Sequence, residues 1–155
     1  MEMKRILVVD DERTVLENFR EILELKGYRV DIAETGQEAI EKSAANPYNL
    51  ALLDIRLPDM EGTELLRRMK DTIPKMVKIM VTGYPSLENA KDALNRGADG
   101  YVVKPVNMDE LMNLIREHLR KQEEEKKYSE ERVKEYIEVR ARELRARSSE
   151  GRSKD

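Results

Sequence analysis

The sequence predicts a doubly wound α/β domain over residues 1–120, followed by a charged helical extension. Short apolar runs of strand length recur five times in those 120 residues. Amphipathic segments of helical period separate the runs, and turn residues end these segments. Because continuous apolar runs are typical of parallel strands covered on both faces, five strand–helix repeats predict a parallel sheet between two layers of helices.

The predicted strands follow the apolar runs in chain order. They are Ile6–Val9, Val30–Ala33, Leu50–Leu53, Val77–Val81 and Tyr101–Val103. The first, third and fourth runs are nearly continuous in Val, Ile, Leu and Met, which suits strands buried on both faces.

The predicted helices each present an apolar face at helical spacing. In chain order the faces are Val15, Phe19, Ile22 and Leu23; Ala39, Ile40 and Ala44, in a helix at about 36–46; Leu65, Leu66 and Met69; Leu87, Ala90, Ala93 and Leu94; and Leu111, Leu114, Ile115 and Leu119. Gly27, Pro47 and Gly97 stand where helices are expected to end.

Composition excludes several kinds of site. The 155 residues contain no cysteine, so disulfides, thiolate nucleophiles and cysteine zinc sites are excluded. The single histidine, His118, cannot form a histidine metal cluster, and we expect it at a helix end or facing solvent rather than in phosphotransfer. No apolar run approaches the roughly 20 residues of a membrane span, and a cytoplasmic location is expected. A net charge of -3 gives no reason to expect nucleic-acid binding.

The composition changes near residue 121. Residues 1–120 hold 18 basic and 22 acidic side chains, whereas 21 of the 35 residues in 121–155 are charged. We therefore predict a domain at 1–120 and a charged, helical extension at 121–155 with a frayed end over 148–155.

The extension carries a narrow apolar stripe and allows two interpretations. Helix formers and Glu–Lys or Glu–Arg pairs at i,i+4 spacing favour a helix, with Val133, Ile137, Ala141 and Leu144 on one side. The favoured interpretation is a solvated helix that continues from the domain, because the stripe spans under two heptads. The alternative is a short helix that pairs with another copy or a partner.

The strand ends carry the chemically reactive side chains. The first strand ends in Asp10-Asp11-Glu12, the third in Asp54, the fourth in Thr82-Gly83 and the fifth in Lys104-Pro105. In a doubly wound sheet, ligands bind beyond the carboxyl ends of the strands, so these groups are expected to converge on one edge.

The converging groups favour phosphoryl transfer to an aspartate. Crowded carboxylates repel one another, and a hard divalent cation with oxygen ligands, Mg²⁺ for preference, relieves that repulsion. A lysine ammonium and a threonine hydroxyl suit an anionic phosphoryl group on one carboxylate. Each residue alone has an ordinary structural explanation, such as a helix cap or a surface turn. The combination at four strand ends is what favours the chemistry.

Four motifs resemble the receiver domain of two-component response regulators. They are Ile6–Glu12, Leu52–Gly62, Val81–Gly83 and Gly97–Pro105, and the resemblance covers about residues 4–120. It implies a (βα)₅ flavodoxin-like fold with strand order 2-1-3-4-5. It also implies a signalling domain rather than an enzyme, one that catalyses only its own Mg²⁺-dependent phosphorylation and dephosphorylation.

The resemblance assigns the acids to metal binding and phosphoryl acceptance. Asp54 would accept the phosphoryl group from the phosphohistidine of a sensor histidine kinase or phosphotransfer protein. Asp11, Asp54 and the backbone carbonyl of Arg56 would hold Mg²⁺ directly, and Asp10 would act mainly through water. Arg56 and Tyr84 would border the site and affect the rate of hydrolysis.

The resemblance assigns the remaining strand ends to the switch. Lys104 would pair with the phosphoryl group, Thr82 would donate its hydroxyl to it, and Gly83 would keep space for it. Tyr101 would turn inward when Thr82 moves. The peptide bond before Pro105 is expected to be cis, which costs little only before proline.

The expected output is a change in the face formed by the fourth helix, fifth strand and fifth helix. A downstream effector or a second copy would bind there, and neither a nucleic acid nor a membrane is expected as a direct partner. A degenerate receiver that binds partners without phosphorylation is the alternative. Two classes of enzyme fit the sequence poorly. A dehalogenase-type phosphatase would have an acid in place of Arg56, and a flavin or dinucleotide site would have a glycine- or hydroxyl-rich loop in place of Asp10-Asp11-Glu12.

Overall fold

The five predicted strands form one parallel sheet. The computed structural model describes the backbone of residues 3–153 and the side chains of residues 3–149. The strands are β1 (Arg5–Val9), β2 (Arg29–Ala33), β3 (Leu50–Leu53), β4 (Val77–Thr82) and β5 (Gly100–Val103). Their order is β2-β1-β3-β4-β5, and every neighbouring pair is parallel. The fold class and the strand order are confirmed.

The five helices alternate with the strands along the chain. They are α1 (Arg13–Leu25), α2 (Gly36–Ala45), α3 (Gly62–Arg68), α4 (Leu87–Asn95) and α5 (Met108–Ser153). Thr35 and Ser86 begin α2 and α4, and each side-chain hydroxyl accepts a backbone N–H from the first turn. Gly27 and Gly97 follow α1 and α4 at φ of +92° and +105°, a region that glycine enters without strain.

The sheet separates two apolar clusters because successive strand residues point to opposite faces. On one face, residues such as Ile6, Val8 and Leu52 pack with α1 and the first turns of α5. On the other face, Leu7 and Leu53 pack with α2, α3 and α4. The helices therefore cover both sides, as the continuous apolar runs predict.

The predicted helix faces are confirmed for α3 and α5, but the α2 face is wrong for exposed Ala44 and the α4 face is not confirmed. Leu65, Leu66 and Met69 are buried, as are Leu111, Ile115 and Leu119. In α1, Leu16 is fully buried although the predicted face omitted it. In α4, Leu87 and Leu94 are 72% and 55% exposed, and Ala93 is the buried residue. The prediction that both leucines face the core is wrong, because only a small side chain points from α4 to the sheet.

The chain divides into two compact units, Met1–Leu119 and Arg120–Asp155. Whether they correspond to separate functional domains stays a prediction. Helix α5 extends to Ser153, and the fraying expected over 148–155 falls partly on Lys154 and Asp155, which lie outside the described residues. Of the helices described, none combines the length and apolar content that crossing a bilayer requires.

Candidate functional site

The candidate site lies at the carboxyl edge of the sheet, where four neighbouring strands end. Asp10 follows β1, Asp54 follows β3, Thr82 ends β4 and Lys104 follows β5. The strand register places these ends level, since Val9 pairs with Leu53 and Thr82 with Val103. The predicted convergence is therefore found, although the residues are far apart in sequence.

The lysine joins two of the acids. Lys104 Nζ lies 2.7 Å from Asp10 Oδ2 and 3.4 Å from Asp54 Oδ2. Asp10 and Asp54 are buried, with 3% and 7% of their surface exposed. A charge-assisted pair at this depth is screened little by solvent, so the ammonium is the main counter-charge to these carboxylates.

Backbone hydrogen bonds fix both acids as the strands end. Asp54 N–H donates to the Val9 carbonyl at 3.0 Å, and Asp10 N–H donates to Ala33 at 3.1 Å. Asp54 Oδ1 accepts the Arg56 N–H at 3.2 Å, and Asp10 Oδ1 accepts the Glu12 N–H at 2.9 Å. Each carboxylate thus keeps its other oxygen, Oδ2, for Lys104.

For Asp54 and Lys104, burial disfavours the charged form, whereas the opposite charge of the other group favours it. Burial raises the pKa of Asp54, and the neighbouring Asp10 carboxylate raises it too, whereas the Arg56 N–H and Lys104 lower it. Burial also disfavours the charge on Lys104, but hydrogen bonding to Asp10 and attraction to both carboxylates raise the pKa of this lysine above its ordinary value. The lysine is therefore held as an ammonium ion beside the acids.

The acids fit a divalent cation. Asp10, Asp11 and Asp54 each offer a carboxylate oxygen, and these oxygens lie within 4.8 Å of one another. Three carboxylates face one ammonium, so two negative charges lack a counter-charge within this set. Oxygen ligands of this kind suit Mg²⁺, and exposed Asp11 leaves room for retained water. The use of the Arg56 carbonyl and the choice of metal stay predictions.

Thr82 and Tyr101, the predicted switch residues, lie at the end of β4 and within β5. Thr82 is fully buried, and its hydroxyl oxygen accepts the Tyr84 N–H at 2.9 Å. The Tyr101 ring packs against the apolar cluster that contains Leu7, and its buried hydroxyl lacks a hydrogen-bond partner among the described residues. The ring is partly buried in this structure, and its movement with Thr82 stays a prediction.

Glycine and proline shape the loops around the acids. A Cβ on Gly62 would clash with the Asp54 carbonyl oxygen and lie 2.9 Å from Ile55 Cα, so the loop after β3 requires glycine there. A Cβ on Gly83 would meet only Lys104 Cδ, at 3.9 Å, which is an ordinary contact. The space that Gly83 would keep for a phosphoryl group stays a prediction. The Lys104–Pro105 peptide bond is cis, as predicted.

Two contacts at the site were not predicted. The Arg56 guanidinium carbon lies 3.9 Å from the centre of the Tyr84 ring, a cation–π stack between the loops after β3 and β4. The Asp59 carboxylate accepts the N–H groups of Gly36 and Gln37 at 2.8 and 2.9 Å, which ties the loop after β3 to the start of α2. Side-chain types alone carried no signal for either contact, because the partners are remote in sequence.

His118 lies apart from the cluster. It is half-buried within α5, which continues to Ser153, so of the two expected positions the helix end is wrong and the solvent-facing one holds only in part. Glu12 begins α1 without a side-chain capping bond, so the alternative that this acid is only a helix cap is not supported.

The fold and site define a class of doubly wound α/β domain that brings three carboxylates and a lysine to one edge of its sheet, and the sequence comparisons identify the family. The sequence model of the response regulator receiver domain matches residues 6–116. The chain belongs to this family and carries the receiver domain of a two-component response regulator.

Solved structures similar to this chain include two receiver proteins. A CheY-like response regulator receiver domain protein from Methanospirillum hungatei JF-1 is 52% identical, with a TM-score of 0.77 over 80% of this chain and 99% of that chain. A two-component response regulator from Clostridium difficile is 30% identical, with a TM-score of 0.73 over 76% of this chain and 97% of that chain.

Curated relatives are longer. The transcriptional regulatory protein YkoG of Bacillus subtilis is 38% identical over 77% of this chain and 53% of its own length. Response regulator MprA of Mycolicibacterium vanbaalenii is 35% identical over 76% of this chain and 51% of its own length. The chain thus spans about half the length of these relatives.

Proposed function

We propose that this receiver accepts a phosphoryl group on Asp54 from the phosphohistidine of a sensor kinase or phosphotransfer protein, in an Mg²⁺-dependent reaction. The observation that supports this most directly is the convergence of Asp10, Asp11 and Asp54 beside the ammonium of Lys104. A nucleophile, a cation site and a positive group within a few ångströms are the parts that phosphoryl transfer needs.

The transfer exchanges one bond for another. A carboxylate oxygen of Asp54 attacks the phosphorus atom as the phosphorus–nitrogen bond breaks, and the bonding electron pair returns to the imidazole, which takes up a proton. A bound Mg²⁺ would neutralise charge on the phosphoryl oxygens. Lys104 Nζ already lies within hydrogen-bond distance of both acids. It would pair with the phosphoryl group, which adds a charge of about -1.5 to -2. The Thr82 hydroxyl accepts one hydrogen bond and still carries a proton to donate.

The output would be a changed contact surface. Phosphorylation would pull Thr82 toward the new oxygens and let Tyr101 settle more deeply, which alters the surface of α4, β5 and α5. Exposed Leu87, Leu94 and Val103 on that surface offer apolar contact area for an effector or a second copy. In this proposal the chain is a cytoplasmic signalling domain that catalyses only its own phosphorylation and dephosphorylation.

The test is intact-protein mass after treatment with acetyl phosphate and Mg²⁺. The wild-type chain should gain one acid-labile phosphoryl group, and omission of Mg²⁺ should prevent the gain. Asp54→Asn should gain none, because an amide cannot act as the nucleophile. His118→Ala is the matched control and should be labelled like the wild type, since it changes the only histidine and lies outside the acid cluster.

Two results would contradict the proposal. Full labelling of Asp54→Asn would move the acceptor elsewhere. An unlabelled wild-type chain that also fails to bind beryllofluoride, a stable mimic of the phosphoryl group, would favour the phosphorylation-independent interaction module. Binding of beryllofluoride without a stable adduct would instead show a competent site with rapid hydrolysis.

A further inference from the structure

The charged extension, residues 121–155, is called the tail below, and it presents an apolar stripe to solvent. Val133, Ile137 and Leu144 are 58%, 59% and 52% exposed, and Ala141 lies between the last two. Their spacings of four, four and three residues place all four on one side of the helix. Branched apolar side chains aligned in this way lower their free energy when a second surface covers them.

The charge of the tail changes sign along its length. Residues 121–139 carry five basic and seven acidic side chains, whereas residues 140–155 carry six basic and three acidic ones. The first half is therefore net negative and the second half net positive, and Ile137 lies close to the point where the sign changes. A helix with this asymmetry is complementary to a reversed copy of itself.

We propose that the tails of two copies of this chain pair as antiparallel helices centred on Ile137. In that arrangement Ile137 meets its counterpart, and Val133 of each copy lies level with Ala141 of the other. Glu130 of each copy comes within one residue of the level of Arg145 of the other, on the same flank of the stripe. Glu130 of one tail thus lies opposite Arg145 of the second tail at both ends of the contact.

A parallel pair would bury the same stripe but would bring like charges together. Each basic half would then lie beside the other basic half, with Arg140, Arg145 and Arg147 of both copies close to the contact. The ion pair between Arg140 and Glu143, 3.0 Å within one helix, neutralises only part of this charge. Like-charge repulsion therefore selects the antiparallel orientation, while the apolar stripe supplies the attraction.

The association should be weak and sensitive to salt. The stripe spans about 11 residues, or roughly 17 Å of helix, which is shorter than a stable coiled coil needs. Surface charge pairs are screened as ionic strength rises. The dimer is thus expected at high protein concentration and low salt, and it requires neither Mg²⁺ nor a phosphodonor.

Sedimentation equilibrium of the full chain, without a phosphodonor, tests the contact. Ile137→Glu should raise the dissociation constant at least about tenfold, because it places two carboxylates at the centre of the pair. Val139→Glu is the matched control: it has the same change in charge, and it lies about 200° around the helix from Ile137. It should leave the dissociation constant near the wild-type value, with both variants equally helical by circular dichroism.

Cysteine cross-linking tests the orientation, since the chain contains no native cysteine. A mixture of Val133→Cys and Ala141→Cys chains should form a heterodisulfide faster than either chain forms a homodisulfide. Faster homodisulfide formation by Val133→Cys would show a parallel pair and overturn the proposal. A wild-type monomer at every accessible concentration, or a dimer that Ile137→Glu leaves intact, would overturn it as well. Because these experiments leave Asp54 unphosphorylated, their outcome is independent of the phosphoacceptor proposal.

Discussion

Different interactions stabilise the sheet-containing unit and the helical tail. In the first unit β1, β3 and β4 bury nearly every side chain, and even charged groups such as Asp10 and Asp54 lie inside with a partner. In the tail the large apolar side chains of the described residues, from Tyr128 to Leu144, are exposed. The first unit depends on contacts between residues remote in sequence, whereas the tail depends on helical periodicity. Equal substitutions should therefore have unequal effects in the two regions.

The largest expected contrast is between two leucine truncations. Leu52→Ala, in a strand residue that is 1% exposed, should lower the free energy of unfolding by about 2–5 kcal/mol through lost burial and a cavity. Leu144→Ala, at 52% exposure, should change it by at most about 0.5 kcal/mol. Urea unfolding followed by circular dichroism at low protein concentration measures both. Equal losses would show that the tail contributes to the folded core, and the contrast between the regions would fail.

A second contrast is expected within the first unit. Gly62→Ala forces a Cβ against the Asp54 carbonyl oxygen and Ile55 Cα, and should cost about 1–3 kcal/mol. Gly83→Ala has space for its methyl group and should be nearly neutral for stability. The two urea midpoints give the comparison. A neutral Gly62→Ala would mean that the loop after β3 relaxes easily, and that the site is less rigid than the close contact indicates.

The smallest expected effect concerns surface charge. Hydrogen bonding to Arg67 lowers the pKa of Glu64 to about 2, with Arg68 contributing as well, and Arg96 of α4 lies 3.7 Å from Glu64. A lowered pKa gives stability that is present above the ordinary value of 4.5 and lost as pH falls from there toward about 2. Glu64→Gln should remove this part of the pH dependence. Its thermal midpoint should lie below that of the wild type near neutral pH, and the two midpoints should converge in acid.

The tail offers the control for that measurement. Glu143→Gln breaks the exposed pair with Arg140, which lies on one helix and links no second element. Its thermal midpoint should follow the wild-type curve over the same pH range at low protein concentration, since exposed pairs contribute little. A shift as large as that of Glu64→Gln would indicate that the tail pair, too, stabilises the fold.

The helix faces show where sequence patterns were sufficient. In α3 and in the first turns of α5, several large apolar residues repeat on one side, and burying that side is the only way to remove them from water together. In α4 the predicted face spans about 120° of the helix, with Leu87 at one edge and Ala93 at the other. Packing against the sheet selected Ala93 and left Leu87 and Leu94 exposed.

The sequence by itself determined the strands, their alternation with helices, and which chemical groups stand at the strand ends. These features depend on local periodicity and on which residue follows each apolar run. Only the tertiary structure decided the contacts: Lys104 with Asp10, 94 residues away, Asp59 with the start of α2, and Gly62 against the end of β3. Such contacts depend on the relative placement of loops that the chain brings together only after the sheet is assembled, and no local pattern encodes a distance between them.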